Sequence, residues 1–308
     1  MTSKSFTTPI LFIIFNRPDT TARVFEQIRA VRPTRLFVSA DGARPQKAGE
    51  SDRCLQTRAI LKQVDWDCDV QTRFSENNQG CKMGVSSAIT WFFGNVEEGI
   101  ILEDDCCPDT SFFFFCETLL ARYRNDQRIM HINGINFQDG KIRGNGTYYF
   151  SILNNVWGWA TWKRAWGLYD VDMHSFPKIK EGNLILPLFS NSSMRQFWLK
   201  KFEIAYNKGV DTWDLQWQYA MSINNGLAIV PNKNLVSNIG FAAEATHTRD
   251  SFDSLANRSA ERIETILPPA FVVPDPLADS YAFQKYMNPN KFKKFCTLIR
   301  RKFFTKTL

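Results

Sequence analysis

Three acids in a row, Glu103, Asp104 and Asp105, close the apolar run Ile100-Ile101-Leu102. Adjacent carboxylates repel one another, and packing alone gives no reason to gather three of them at the rim of a core. A divalent cation removes the difficulty. Hard ions take carboxylate oxygens, and Mg2+ or Mn2+ uses one or two of them while substrate phosphates complete the octahedron. The run before the acids predicts a strand buried on both faces, as in a parallel sheet covered by helices. Open α/β sheets bind their ligands at the carboxyl ends of such strands. The competing reading is a solvated acidic turn, and residues elsewhere in the chain decide between the two.

Those residues recur at other predicted strand ends. Asn16-Arg17-Pro18 follows the apolar run Ile10 to Phe15 and supplies a fixed positive charge. Asp41-Gly42 follows Arg35 to Ala40 and offers an acceptor for a base or a ribose. Gln79-Gly80-Cys81-Lys82 is a glycine-bearing turn with a lysine. Beside the acids at one sheet edge, Arg17, Asp41 and Lys82 suit a nucleoside diphosphate with a metal ion. Neither a Walker A loop nor a G-x-G-x-x-G run occurs, so neither a P-loop nor a dinucleotide site is indicated.

Later in the chain, Trp157-Gly158-Trp159-Ala160-Thr161-Trp162 places three indoles within six residues. They form either a buried aromatic corner or a pocket wall whose rings stack on the C–H faces of a sugar, and the wall is expected. Asp214 lies between Trp213 and Trp217 at a predicted helix start. That is a place for a general base, partly desolvated yet held ionised by the helix N-terminus, and equally a place for an ordinary helix-start acid. His247 stands in the polar run Glu244 to Thr248, where it could give a nitrogen to a metal, whereas His131 lies in a short apolar strand and reads as packed.

The elements that must position these groups follow from periodicity. Strands are predicted at Ile10 to Phe15, Arg35 to Ala40, Asp69 to Phe74, Gly99 to Leu102 and Ile129 to Ile132. Helical patterns lie between them, with Ala22, Phe25, Ile28 and Val31 on one face of the first. Asn77 to Gly84 is expected as a loop, with a helix over Val85 to Phe93. Pro108-Asp109 starts a helix whose four phenylalanines, Phe112 to Phe115, are expected in the core. Alternating strand, short loop and helix predict an α/β, Rossmann-like, mostly parallel central sheet with right-handed crossovers and a smaller acceptor-side region.

With 308 residues the chain can hold one large α/β domain or two small ones, and 44% hydrophobic against 22% charged residues excludes a disordered chain. A net charge of +7 asks for an anionic partner. No zinc-finger spacing and no glycine-aromatic basic strand occurs, so nucleic acid is not expected. Part of the positive charge lies in a segment where Lys291, Lys293, Lys294, Arg300, Arg301 and Lys302 interleave with Phe292, Phe295, Leu298, Ile299, Phe303 and Phe304. At helical spacing this is a basic amphipathic stretch, either lying on an anionic membrane surface or packed as a terminal helix. Seven cysteines without a CxxC pair read as free thiols in a reducing cytoplasm, and no apolar run is long enough to span a bilayer.

Taken together, these motifs resemble the GT-A nucleotide-sugar glycosyltransferases, in particular the metal-dependent inverting N-acetylglucosaminyltransferase I type and its bacterial relatives. The resemblance rests on Pro9-Ile10-Leu11 to Asn16-Arg17, Ala40-Asp41-Gly42, Gly80-Cys81-Lys82, Leu102-Glu103-Asp104-Asp105 with its Pro108-Asp109 and Phe112-Phe113 trailer, Gly158-Trp159 and Trp213-Asp214. It covers residues 9 to 250, and the acid motif is its most specific part. It implies a transferase domain over 1–250, with a nucleotide half near 9–107 and an acceptor half near 108–250, followed by an extension over 251–308. It implies that Asp105 binds Mn2+ or Mg2+, Asp104 the ribose or metal-bound water, and Glu103 the donor sugar. Asn16, Arg17, Asp41 and Lys82 would serve the nucleotide, Trp157 and Trp159 the sugar or acceptor, and Asp214 would be the base. His247 would be a late metal ligand. The expected donor is a UDP-sugar and the expected acceptor a glycan or lipid-linked hydroxyl. Without a stem or anchor ahead of the domain, a bacterial surface-polysaccharide enzyme at the inner face of the cytoplasmic membrane is implied. No histidine stands in the glycine-bearing loop where the eukaryotic enzymes carry one, which weakens the identification of the base. A sugar-nucleotidyltransferase and a non-catalytic sugar-nucleotide scaffold at the membrane are the alternatives.

Overall fold

The computed structural model describes residues 6–185, 188–189, 191–240 and 258–288. The apolar runs form strands as expected: β1 (Ile10–Ile14), β2 (Arg35–Ala40), β3 (Asp69–Phe74) and β4 (Glu98–Glu103) are parallel to one another, in the order β3-β2-β1-β4. The helices α1 (Pro18–Val31), α2 (Glu50–Ala59) and α3 (Gly80–Asn95) make the crossovers. The sheet then continues through β8 (Trp159–Trp162), β6 (Ile129–Asn133), β9 (Leu227–Pro231) and β7 (Tyr148–Ser151) to eight strands. β8 runs antiparallel to both β4 and β6, and β7 antiparallel to β9, so the sheet is α/β and mostly parallel, as expected.

Strand alternation sorts the core into two layers. Ile10, Phe12 and Ile14 face one side with Leu36, Val38, Ile100 and Leu102, under α1 and the helix α4 (Thr110–Tyr123). Leu11, Phe37 and Ile101 face the other side with Phe92 of α3 and with Trp159, Trp213 and Trp217. α4 begins where Asp109 accepts the Ser111 N–H, the side-chain cap that Pro108-Asp109 promised. Phe112, Phe113 and Phe115 of that helix are fully buried. The fourth, Phe114, is an exception: at 14 residues the helix turns one position of the run outward, and Phe114 stands half exposed against Phe6.

Farther along, α5 (Lys163–Trp166) adds Ala165 and Trp166 to the layer of Trp159 and Trp217, while α6 (Phe176–Glu181), α7 (Ser192–Tyr206) and α8 (Asp214–Ile223) build a separate aromatic core around Phe176, Trp198, Phe202 and Tyr219. A two-stranded antiparallel ribbon pairs β5 (Cys106–Pro108) with β10 (Val236–Asn238) directly after the acids. The described part of the region past residue 250 packs onto these cores: Ile263 enters the first, and Phe283, just after α9 (Pro276–Ala282), enters the aromatic one.

α3 differs from expectation. It begins at Gly80, five residues earlier than periodicity placed it, so Gly80-Cys81-Lys82 is a first helical turn and not a loop. Gly80 takes φ +77°, a conformation open to glycine, and two carboxylates from distant strands and loops satisfy the N–H groups around it.

Candidate active site

Because β1, β2, β3 and β4 are parallel, their carboxyl ends open on one edge, and a cavity of about 340 Å3 lies there. Arg17, Asp41, Glu103, Asp104, Asp105 and Trp157 all contribute to its wall. The volume is within the range of small-molecule sites.

The acids are held by a guanidinium. Arg17 Nη1 lies 2.7 Å from Asp105 Oδ2 and 3.7 Å from Asp104 Oδ1. Burial works against the Arg17 charge, but Asp104 and Asp105 outweigh it and raise its pKa. One positive charge does not balance three carboxylates. Burial, with Asp105 next and, for Glu103, Asp104 after it, still holds the Glu103 and Asp104 carboxyls well above the ordinary carboxylate range. Asp104 is further fixed by the Phe15 N–H, 3.0 Å from its Oδ2. Asp105 is clamped from the other side by the ribbon: its carbonyl accepts the Ile239 N–H at 2.8 Å, and Gly240 lies against its side chain so closely that any Cβ there would overlap it.

These groups suit a divalent ion in charge and in chemistry. They offer hard oxygen donors with a deficit of positive charge, and among the described residues Asp105 Oδ1 meets only the weak Cys106 thiol donor, at 3.4 Å. Among the described residues no three His, Cys, Asp or Glu side chains converge as a metal cage. Asp105, with Asp104 behind it, would therefore supply the protein's share, and substrate phosphates and water the remainder. His247 lies outside the described residues.

Asp41 faces the same cavity. It accepts main-chain N–H bonds from Gly42 at 2.8 Å and Gln79 at 2.9 Å, and the Asn78 amide at 3.0 Å. Burial nevertheless pushes its pKa up, against those bonds. The next two N–H groups of α3, on Cys81 and Lys82, each donate at 2.9 Å to the carboxylate of Asp211. The α3 N-terminus is thus closed by Asp41 and Asp211 and does not present a free anion cradle. Asp211 lines the cavity, and the sequence reading did not select it; the only available signal was a second acid three residues before Asp214.

Four expected residues are placed away from the wall. The Asn16 amide donates at 2.8 Å to Glu50, a fully buried carboxylate paired with Arg44 of the cavity wall, so Asn16 braces the site from behind. Lys82 contributes its main-chain N–H to Asp211, and its side chain does not line the cavity. Trp159 is fully buried in β8, stacked between His131 at 4.8 Å and Trp213 at 5.6 Å, while Trp157, two residues earlier and before the strand, does reach the wall. Strand position explains the difference: β8 is paired along both edges, with β4 and β6, and all four of its residues are buried, whereas Trp157 precedes it and reaches the wall.

The fourth is Asp214, which opens α8 just behind the wall, near enough for its charge to act on both Glu103 and Cys81. Its Oδ1 accepts the Thr212 hydroxyl, and among the described residues Oδ2 has no hydrogen bond. The helix start is carried on aromatic rings. Trp213 stacks on Trp159, and Trp217 Nε1 donates at 3.1 Å to His131 Nδ1. Burial lowers the His131 pKa to about 4, so the ring is neutral and its Nε2–H is left for the Asn155 carbonyl at 3.0 Å. His131 is the packed histidine expected.

No family model matches this chain, and no curated protein does. Among solved structures, HddC from Yersinia pseudotuberculosis is similar to it with a TM-score of 0.32 and 9% identity, over 51% of this chain and 78% of that one. An apo UDP-glucose pyrophosphorylase gives a TM-score of 0.35 and 8% identity, over 73% of this chain and 90% of that one. Its complex with UDP-glucose gives 0.33 and 9% over the same shares. At these values the activity and ligand of this chain must be argued from its own cavity.

Proposed function

We propose that the protein binds a nucleotide-diphosphate sugar at the β1–β4 edge and transfers the sugar, with inversion, to a hydroxyl of a glycan or lipid-linked acceptor. One observation carries the reading: a single cavity collects a guanidinium, three carboxylates with unbalanced charge and a strand-end aspartate at the carboxyl ends of parallel strands, with an indole beside them. UDP-sugars are the expected donors, and the net positive charge together with the basic stretch after residue 290 fits work at an anionic membrane.

Each residue has a derivable task. Arg17 is held by Asp105 at the cavity wall and presents the remainder of its fork to a diphosphate. Asp41, fixed by main-chain N–H groups, accepts from a base or ribose. Trp157 offers a face for a sugar ring. A Mn2+ or Mg2+ ion on Asp105 would supply Lewis-acid stabilisation of the departing diphosphate. Glu103, at the end of β4, accepts from donor hydroxyls. Asp214 takes the proton of the incoming hydroxyl: among the described residues its Oδ2 accepts no hydrogen bond, whereas both oxygens of Asp211 are spent on α3.

The test is to incubate the protein with Mn2+ and a panel of nucleotide sugars and to follow hydrolysis and transfer. Slow release of nucleoside diphosphate from one donor is expected. Pyrophosphate release from a nucleoside triphosphate and a sugar phosphate would establish the nucleotidyltransferase alternative, and donor binding without any turnover would establish the scaffold.

A further inference from the structure

The four most exposed large apolar side chains among the described residues are Phe271, Leu277, Ile142 and Val273, each 64 to 78% exposed. They belong to one face. Ala270 N–H bonds to Asn145 at 3.3 Å, and Phe271 and Val273 share the rim of a groove with Gly144 and Asn145, which joins their segment to the loop of Ile142. Leu277 and Tyr281 lie four residues apart on α9 and so on one side of it. Lys141 stands 4.0 Å over the Tyr281 ring, with Arg143 at 5.8 Å and Lys285 at 5.4 Å.

The cations of this face outnumber its acids. Asp139 is shared by Arg258 and Lys285 and bonded by Tyr281 and Tyr286. Asp275 is spent as the N-cap of α9, and Asp279 is buried against Ser151. Among the described residues that leaves Lys141 and Arg143 with no acid of their own. The chain also leaves the described residues at Asn288, two positions past Tyr286. The sequence after Asn288 carries seven cations and no acid, which equals the whole net charge of +7 and leaves the first 288 residues balanced.

Apolar side chains projecting singly beside unmatched cations, next to an acid-free basic segment, have the chemistry of an interfacial contact with lipid. We propose that the face of Ile142, Phe271, Val273 and Leu277, with Lys141 and Arg143, is the surface by which this protein lies on an anionic bilayer. The apolar side chains enter the headgroup boundary, and the cations meet lipid phosphates. The face adjoins the candidate site through Phe137, which packs edge-on against Trp157 at 6.1 Å and, tilted, against Tyr286 at 5.3 Å. The inference does not rest on the transferase reading.

The test is co-sedimentation of the full-length protein with vesicles of phosphatidylcholine, alone or with one part in three of phosphatidylglycerol. Binding to the anionic vesicles only is expected. Phe271→Ser with Leu277→Ser, and separately Lys141→Glu with Arg143→Glu, should each lower partitioning at least ~10-fold at an unchanged melting temperature. The two pairs fail for different reasons, so a folding defect in one leaves the other decisive. Reversal of Arg300, Arg301 and Lys302 to Glu should weaken binding and leave part of it. The proposal is overturned if wild type binds neither vesicle or both equally, if only the Arg300 to Lys302 variant loses binding, or if Phe271→Ser with Leu277→Ser instead dissolves a dimer in sedimentation equilibrium. Donor hydrolysis without vesicles is read in parallel and should not change in these variants.

Discussion

Arg17 Nη1 and Asp105 Oδ2 lie 2.7 Å apart, so the cavity carries its own cation before any ligand arrives. The pair links the end of β1 to the turn after β4, across two adjacent parallel strands. Arg17→Gln should therefore act twice. It should cut affinity for a nucleotide diphosphate at least ~10-fold through the lost charge-assisted bonds, and it should lower stability by leaving buried carboxylates unpaired. Donor titration and thermal melting of the same sample check both effects. Unchanged affinity would remove Arg17 from the nucleotide site.

Asp214 and Asp211 make a matched pair of variants. Asp214→Asn should leave donor affinity intact and reduce turnover at least ~100-fold, the lower end for a general base. Asp211→Asn should lower turnover less and lower the melting temperature, because it weakens the tie between the α7–α8 loop and α3. If the larger kcat loss falls on Asp211, the roles are exchanged.

Gly240 is a steric prediction. A methyl group at that position would overlap the Asp105 carboxylate and come within 2.8 Å of its Cβ. Gly240→Ala should displace Asp105 and cost on the order of 100-fold in turnover, the scale of an ångström's misplacement. Loss should appear in donor turnover well before the fold melts at assay temperature. Wild-type kinetics in this variant would show that the position of Asp105 does not matter.

Much of this site was readable in the chain because its parts are local: apolar runs make strands, and acids or glycines directly after them mark the edge. The α3 start was not, since Asp41 and Asp211 reach it from 38 and 130 residues away and no helical periodicity records them. Arg17 was expected at the same edge as the acids, but not its direct bond to Asp105 across 88 residues. The three indoles share a composition signal but not a fate. Whether a residue falls inside β8 or just before it separates Trp159 in the core from Trp157 on the wall, and such one- or two-residue boundaries are weakly written in sequence.

Stability should carry a pH signature from Asp279. Burial raises its pKa to about 7, against the bonds from Ser151 and Ile152. Between the ordinary carboxylate pKa and about 7 the folded chain holds a proton that the unfolded chain has released, so stability falls as pH rises through that window. Asp279→Asn should remove this part of the slope. Melting curves of both proteins from pH 4 to pH 8 should converge at the acid end and separate toward pH 8, with the variant higher. Parallel curves would exclude Asp279 as the cause.

The central claim is that the cluster at Asp105 takes a cation and a nucleotide diphosphate together. Calorimetric titration of a turnover-competent nucleotide sugar into wild type and Asp105→Asn, each with Mn2+ and with chelator, tests it most directly. The account predicts binding in wild type with Mn2+ and its loss on chelation or in the variant. Equal affinity in all four titrations, or none for any nucleotide sugar, would contradict it.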